Sequence, residues 1–165
     1  MKAYPDYMSK LREVIPNLLS QYLIKCPNEA LTTRKELLVI MKHMIDTNAN
    51  ADLRPKFLSF LDSLLDEKIL LGTNRSSYES MRPLAYNTLA DLIHNSRDKL
   101  STLQISKIVQ FSTKIMYDTE VSITHQTLFA KLLVHLVETL FKLKGDTSKP
   151  DVSGEKEIGR VILLV

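Results

Sequence analysis

Apolar residues in this sequence recur at three- and four-residue steps almost from end to end, and no glycine interrupts them before Gly72. That spacing lines one face of an α-helix, whereas a half-buried strand alternates every second residue. Met8, Leu11, Ile15, Leu18, Leu19 and Tyr22 form a first row, and Pro16, which falls off it, is expected to kink or split the helix. A second row is Leu37, Ile40, Met41, Met44 and Ile45, and a third is Leu53, Phe57, Phe60, Leu61, Leu64 and Leu65. Met81, Leu84, Ala85, Thr88, Leu89, Leu92 and Ile93 form a fourth, and Ile105, Ile108, Val109, Ser112, Ile115 and Met116 a fifth. The sixth, from about Ser122 to Lys144, is apolar almost all round and therefore expects neighbours on several sides. A strand-rich chain needs glycine at many turns; the other three here, Gly145, Gly154 and Gly159, all lie near the C-terminus. The chain is all-α.

Short polar breaks separate the rows: Pro27-Asn28, Asn48-Ala49-Asn50, and Gly72 onward. Ser101 with Gln104 three residues on is a capping-box pattern that starts the fifth helix. Six helices pair into three, and the second members begin near residues 30, 77 and 122, about 45 apart. That period fits the ~40–47 residues of HEAT or armadillo units rather than the ~34 or ~33 of tetratricopeptide or ankyrin units. One such pair cannot bury its apolar face alone, so the pairs are expected to stack as a solenoid; a six-helix bundle is the competing arrangement. Residues 1–144 form the repeat segment. Residues 145–165 are expected to be a loop and a truncated or aberrant tail ending in Val161-Ile162-Leu163-Leu164-Val165, unless that run packs on the final pair.

Composition excludes several functions. Hydrophobic residues make up 44% and charged residues 25%, ordinary for a globular chain. The net charge is +3, but the basic residues are scattered, and tracking phosphates requires them clustered. We therefore expect no direct nucleic-acid partner, while a mildly basic surface suits acidic protein partners. The single cysteine, Cys26, excludes an internal disulfide and reads as a small core residue. No apolar run reaches the ~20 residues of a membrane span, and MKAYPDYMSK lacks a signal-peptide core. The expectation is a soluble intracellular protein with no membrane partner.

The stretch LLGTNRSSYESMRPLAYNTLADLIHN (Leu70–Asn95) tests for a phosphate site. A P-loop requires a second glycine and a lysine where this chain has Ser77 and Tyr78. An inter-helix turn accounts for more of it: Gly72 supplies a positive φ, and Ser76 with Glu79 would cap the next helix. Arg75, Tyr78 and Arg82 then either tie neighbouring pairs together or face a partner. Asp91 with His94, and His135 with Glu138, each share a helix face. Di-iron bundles use Glu-x-x-His pairs of this kind, but the second pair is reversed and the further glutamates are missing. No nucleophile elbow occurs, and Cys26 has no base near it in sequence. We expect no metal, no cofactor and no catalysis.

Three stretches carry a resemblance: RKELLVIMKHMI (Arg34–Ile45), LRPKFLSFLDSLLDEKILLGTNRSSYESMRPLAYNTLADLIH (Leu53–His94) and LSTLQISKIVQFSTKIMYD (Leu100–Asp118). They resemble the TRRAP family of transcription-associated giant proteins related to phosphatidylinositol-3-kinase-like kinases, over about residues 4 to 143. The run from Leu65-Asp66-Glu67 through the Gly72 turn to Asp91-Leu92 is its most specific part. The resemblance implies a HEAT-repeat segment of a nuclear scaffold in SAGA-type histone acetyltransferase co-activator complexes, a target of transcription activators. It also implies a kinase-like domain without catalytic residues, lying elsewhere than in this stretch. Two other functions share the fold: the regulatory solenoid of an active kinase of that superfamily, and a nucleic-acid-binding helical repeat.

Overall fold

A computed structural model describes the backbone of residues 4–47, 52–73 and 75–145 and the side chains of residues 10–47, 52–73 and 79–141. Every regular element among them is helical. The Asn48-Ala49-Asn50 turn and the tail beyond residue 145 lie outside the described residues. The chain divides into two compact units, Met1–Asn95 and Ser96–Val165.

In the first unit α1 (Tyr4–Lys25) packs against α2 (Leu31–Asp46), α3 (Arg54–Phe57) and α5 (Glu67–Leu71). Pro16 neither splits nor ends α1, and it lies buried beside Leu19, Ser20 and Leu23. The inward face is thus centred on the residue expected to interrupt the helix, while Leu11, Leu18 and Tyr22 of the sequence-derived row point outward. This corrects the reading of α1: it is apolar on two sides, and the row chosen from spacing mixes the buried Leu19 and half-buried Ile15 with the uncovered Leu11, Leu18 and Tyr22.

The third apolar row also differs from expectation. It is divided into α3, a 3-10 turn over Leu58–Phe60, and α4 (Leu61–Leu64). Pro55 suits the first turn of α3, where its missing N–H leaves no bond unmade. At the break Ser59 Oγ donates to Lys56 O at 2.6 Å, a side-chain bond that competes with the regular helical ladder. The sequence reading missed α5. Asp66 caps it, its side chain accepting from Lys68 N at 2.9 Å, and Gly72 ends it. α6 (Arg75–Ser96) runs unbroken through Pro83, which is exposed. Because α6 begins at Arg75, Ser76 sits inside its first turn rather than at the cap; its side chain and Asn74 are outside the described residues.

The second unit is more regular. After a 3-10 turn over Arg97–Lys99, α7 (Thr102–Tyr117) pairs with α8 (Ile123–Gly145). The Ser101–Gln104 capping box is present in both directions, with Ser101 N donating to Gln104 Oε1 at 2.9 Å and Gln104 N to Ser101 Oγ at 3.3 Å. Ile105, Ile108, Phe111 and Ile115 are buried on α7, and Phe129, Leu132, Leu133 and Leu136 on α8. Phe111 and Phe129 meet edge-to-face, their ring centroids 5.6 Å apart at 70°, the arrangement their quadrupoles favour. Buried Thr139 satisfies its hydroxyl within its own helix by donating to His135 O. The three second members start at Leu31, Arg75 and Ile123, close to the positions read from the repeat.

Candidate partner-binding surfaces

Gly72 has φ 81 and ψ −167, a backbone region open essentially to glycine alone. A Cβ there would stand 3.1 Å from Asn28 O and 3.5 Å from Arg34 Nε. Arg34 is 1% exposed. Its Nη1 donates to Ile69 O, and its Nη2 to Cys26 O at 2.8 Å and Pro27 O at 3.3 Å. One guanidinium therefore ties the loop after α1 to the last turn of α5, donating to the carbonyls of Cys26 and Ile69 and sharing that of Pro27 with the Ala30 N–H. The region read as a turn is a junction of three segments. Arg34 was not singled out from sequence, although it shares a helical face with Leu38, Met41 and Ile45, the buried face of α2.

Of the three candidate residues in this region, Arg75 and Tyr78 lie on the first turn of α6 with side chains outside the described residues. Arg82 is half-buried on α6 next to Tyr86. The Tyr86 hydroxyl donates to Glu67 Oε1 at 2.6 Å and joins α6 to α5. Burial, then the Glu67 bond and charge, push this phenol well above its ordinary range, while Arg82 pulls weakly the other way. Lys42 on α2 reaches Asp91 on α6 at 2.6 Å and Asp46 at 3.0 Å. Burial pushes the Lys42 ammonium down, but its hydrogen bonds and attraction to the two carboxylates outweigh that and hold it above 10.5.

These contacts occupy the groups that had been weighed as chemistry. Asp91 is engaged by Lys42, and His135 Nδ1 lies 3.6 Å from Glu138 Oε2 within one helix. His125 Nδ1 is 2.8 Å from Ser122 Oγ, and Cys26 Sγ makes only a long contact of 3.7 Å to Ala30 O. Among the described residues no three His, Cys, Asp or Glu side chains are grouped to hold a metal, and no helix is long and apolar enough to cross a membrane.

What the described residues offer is surface of two kinds. On α1, Leu11, Leu18 and Tyr22 (62% exposed) stand in one outward row. On α8, Ile123 (74% exposed), Val134 and Phe141 stand in another, spanning five turns. Both rows are apolar and lie opposite or beside the buried face of the same helix. α7 presents a different mixture: Leu103, Lys107, Gln110, Lys114 and Tyr117 follow one another at steps of four, three, four and three residues. Leu103 is 59% and Tyr117 80% exposed at its ends.

Comparison with known proteins accords with this picture. A family model described as the Tra1 HEAT repeat central region matches residues 1–163, running well past Lys144. The chain is 38% identical over 140 residues to the probable transcription-associated protein 1 of Dictyostelium discoideum, covering 85% of this chain and 3% of that one. It is 36% identical over 159 residues to the SAGA complex/NuA4 acetyltransferase complex subunit TRA1 of Saccharomyces cerevisiae, covering 96% and 4%. To the transformation/transcription domain-associated protein of Homo sapiens it is 36% identical over 140 residues, covering 85% and 4%. It thus spans only a few per cent of the length of these relatives. By the extent of the family match and the identities that accompany it, this chain belongs to the Tra1/TRRAP family, in its HEAT repeat central region.

Proposed function

We propose that this chain is a non-catalytic stretch of HEAT scaffold within a nuclear co-activator subunit of SAGA- and NuA4-type acetyltransferase complexes, a subunit to which transcription activators are recruited. The names of the yeast relatives support the complex, and the family region supports the scaffold. The observation that carries the reading is the pair of apolar rows on α1 and α8. A helix that buries one face and presents a second apolar face suits a stack in which each pair is covered on both sides. Obligate contacts of that sort are more apolar than transient ones. The protein's work is then to hold spacing and direction over a long distance, with recognition rather than chemistry as its output.

The test is replacement. The stretch of the Saccharomyces relative that aligns with this chain is exchanged for it, and assembly of the acetyltransferase complex is measured by affinity purification. The chimera is expected to assemble. Leu18→Glu with Val134→Glu, which place charges on the two rows, is expected to abolish assembly while the isolated chain keeps its helical circular dichroism. Normal assembly with both charges present would sink the reading.

A further inference from the structure

The most exposed large apolar or aromatic side chain among the described residues is Tyr117, at 80%. It is the last residue of α7, and Asp118 after it is already extended, at φ −80 and ψ 111. The turn to α8 is held by bonds to Asp118 rather than to the tyrosine. Glu120 N donates to Asp118 Oδ1 at 2.9 Å, Val121 N to Asp118 O at 3.1 Å, and Gln126 Nε2 to the same carbonyl at 2.9 Å. Carboxylates stand one and three positions beyond the phenol, at Asp118 and Glu120. The other tyrosines with described side chains differ on each count. Tyr22 is 62% exposed, but it lies within α1, has no acidic residue within three positions on either side, and is followed by the fully buried Leu23. Tyr86 is fully buried and bonded to Glu67.

We propose that Tyr117 is a phosphorylation site for a protein-tyrosine kinase whose peptide groove carries basic side chains. Such a kinase must draw the phenol into its own cleft and hold the flanking backbone extended. An accessible ring at a helix end, where local opening costs least, meets that demand. Complementary charge between substrate carboxylates and a basic groove then selects this tyrosine over others. In the step itself, a bond forms between Tyr117 Oη and the γ-phosphorus of a nucleoside triphosphate as the bond from that phosphorus to the diphosphate oxygen breaks. The phenolic proton passes to a carboxylate of the kinase, and the nucleoside diphosphate leaves. The product carries a charge of about −1.5 to −2 at pH 7. That charge stands at the C-terminal end of α7, where the helix dipole already disfavours an anion, and beside Asp118 and Glu120. Lys114, one turn back, already has an interaction of its own. Repulsion therefore dominates, and the modification loosens the last turn of α7 and its connection to α8.

The 165-residue chain is incubated with ATP, Mg²⁺ and the catalytic domain of a tyrosine kinase selective for acidic substrates, then digested with trypsin and followed by mass spectrometry. The peptide from Ile115 to Lys131 contains Tyr117 as its sole tyrosine, and the peptide from Glu13 to Lys25 contains Tyr22. Tyr117 is expected to be phosphorylated roughly ten times faster than Tyr22. Asp118→Asn with Glu120→Gln, which keeps the side-chain acceptor of the turn, should slow that reaction about fivefold. The phosphorylated chain should unfold at a lower urea concentration than the untreated one, a shift absent from Tyr117→Phe carried through the same treatment. Modification of Tyr22 at an equal or greater rate would overturn the site. So would a synthetic peptide of residues 112–123 that is phosphorylated while Tyr117 in the folded chain is not. An unchanged or raised urea midpoint in the phosphorylated chain would overturn the loosening of α7.

Discussion

Around Gly72 three segments of chain meet on the side chain of Arg34, whereas in the α7–α8 pair two long helices meet on Phe111, Phe129 and a set of leucines and isoleucines. The first unit contains short helices, α3, α4 and α5, between long ones; the buried Arg34 cation donates to carbonyls at the helix ends, while a hydroxyl on a carboxylate and a lysine between two aspartates tie α6 to α5 and to α2. The pair has few helix ends relative to its length, and side-chain packing dominates between them. Irregular backbone inside a helical repeat therefore calls for polar residues at many sites, while regular backbone confines them to the helix ends, as at Ser101, Gln104 and Gln126, and relies on apolar spacing elsewhere.

This contrast can be broken at several points. Phe129→Ala should cost the α7–α8 unit about 4 kcal/mol, because the ring's packing is lost and the cavity is only partly refilled. Urea unfolding followed by circular dichroism would measure it, and a cost under 1 kcal/mol would mean the pair is not held by packing. Arg34→Met keeps the volume but removes the donors to Ile69 O and Cys26 O and one of the two to Pro27 O, which keeps its bond from Ala30 N, an expected loss of about 3 kcal/mol. If the methionine variant were instead as stable as the parent, the junction would be held by its apolar residues alone. Gly72→Ala should cost about 2 kcal/mol from backbone strain, before adding the close approach to Asn28 O.

Alkali should act mainly on the polar junction. The Tyr86 pKa is raised, so below about pH 10 the phenol is neutral in both states and titration contributes nothing. Above that the unfolded phenol ionises first and stability falls. Lys42 is also raised, so its contribution is complete below 10.5 and is lost as pH rises through its folded value. Unfolding midpoints measured from pH 8 to 11 should therefore decline at the alkaline end, and Tyr86→Phe should flatten part of the decline. The smallest effect is expected at the pair's N-terminal cap, where Ser101→Ala should cost about 1 kcal/mol.

Much of the architecture could be read from the residues. The starts of α2, α6 and α8, the capping box of α7 and the positive φ of Gly72 follow from local spacing and local chemistry, which do not depend on distant contacts. The errors arose where a distant contact decides. α1 has two apolar faces, and which one is inward depends on α2, α3 and α5, so spacing alone grouped the buried Leu19 with the outward Leu11, Leu18 and Tyr22 and left out Pro16 and Leu23. The partner oxygens of Arg34 belong to residues 7, 8 and 35 positions away, and nothing local marks a buried arginine. The division of the third row into α3, a 3-10 turn and α4 has a local accompaniment, the Ser59 hydroxyl bond to Lys56 O, which no apolar pattern encodes. The row on α7 was present in the sequence as a heptad-like mixture, but its exposure became evident only once Ile105, Ile108 and Ile115 were seen to face α8.

Thiol labelling tests the central claim most directly. With Cys26→Ser as background, single substitutions Leu18→Cys, Val134→Cys and Leu103→Cys are reacted with a maleimide in the 165-residue chain and in the yeast chimera within its assembled complex. The account predicts that all three react readily in the isolated chain, while in the complex positions 18 and 134 slow at least a hundredfold and position 103 stays reactive. Undiminished labelling at 18 and 134 in the assembled complex would contradict it.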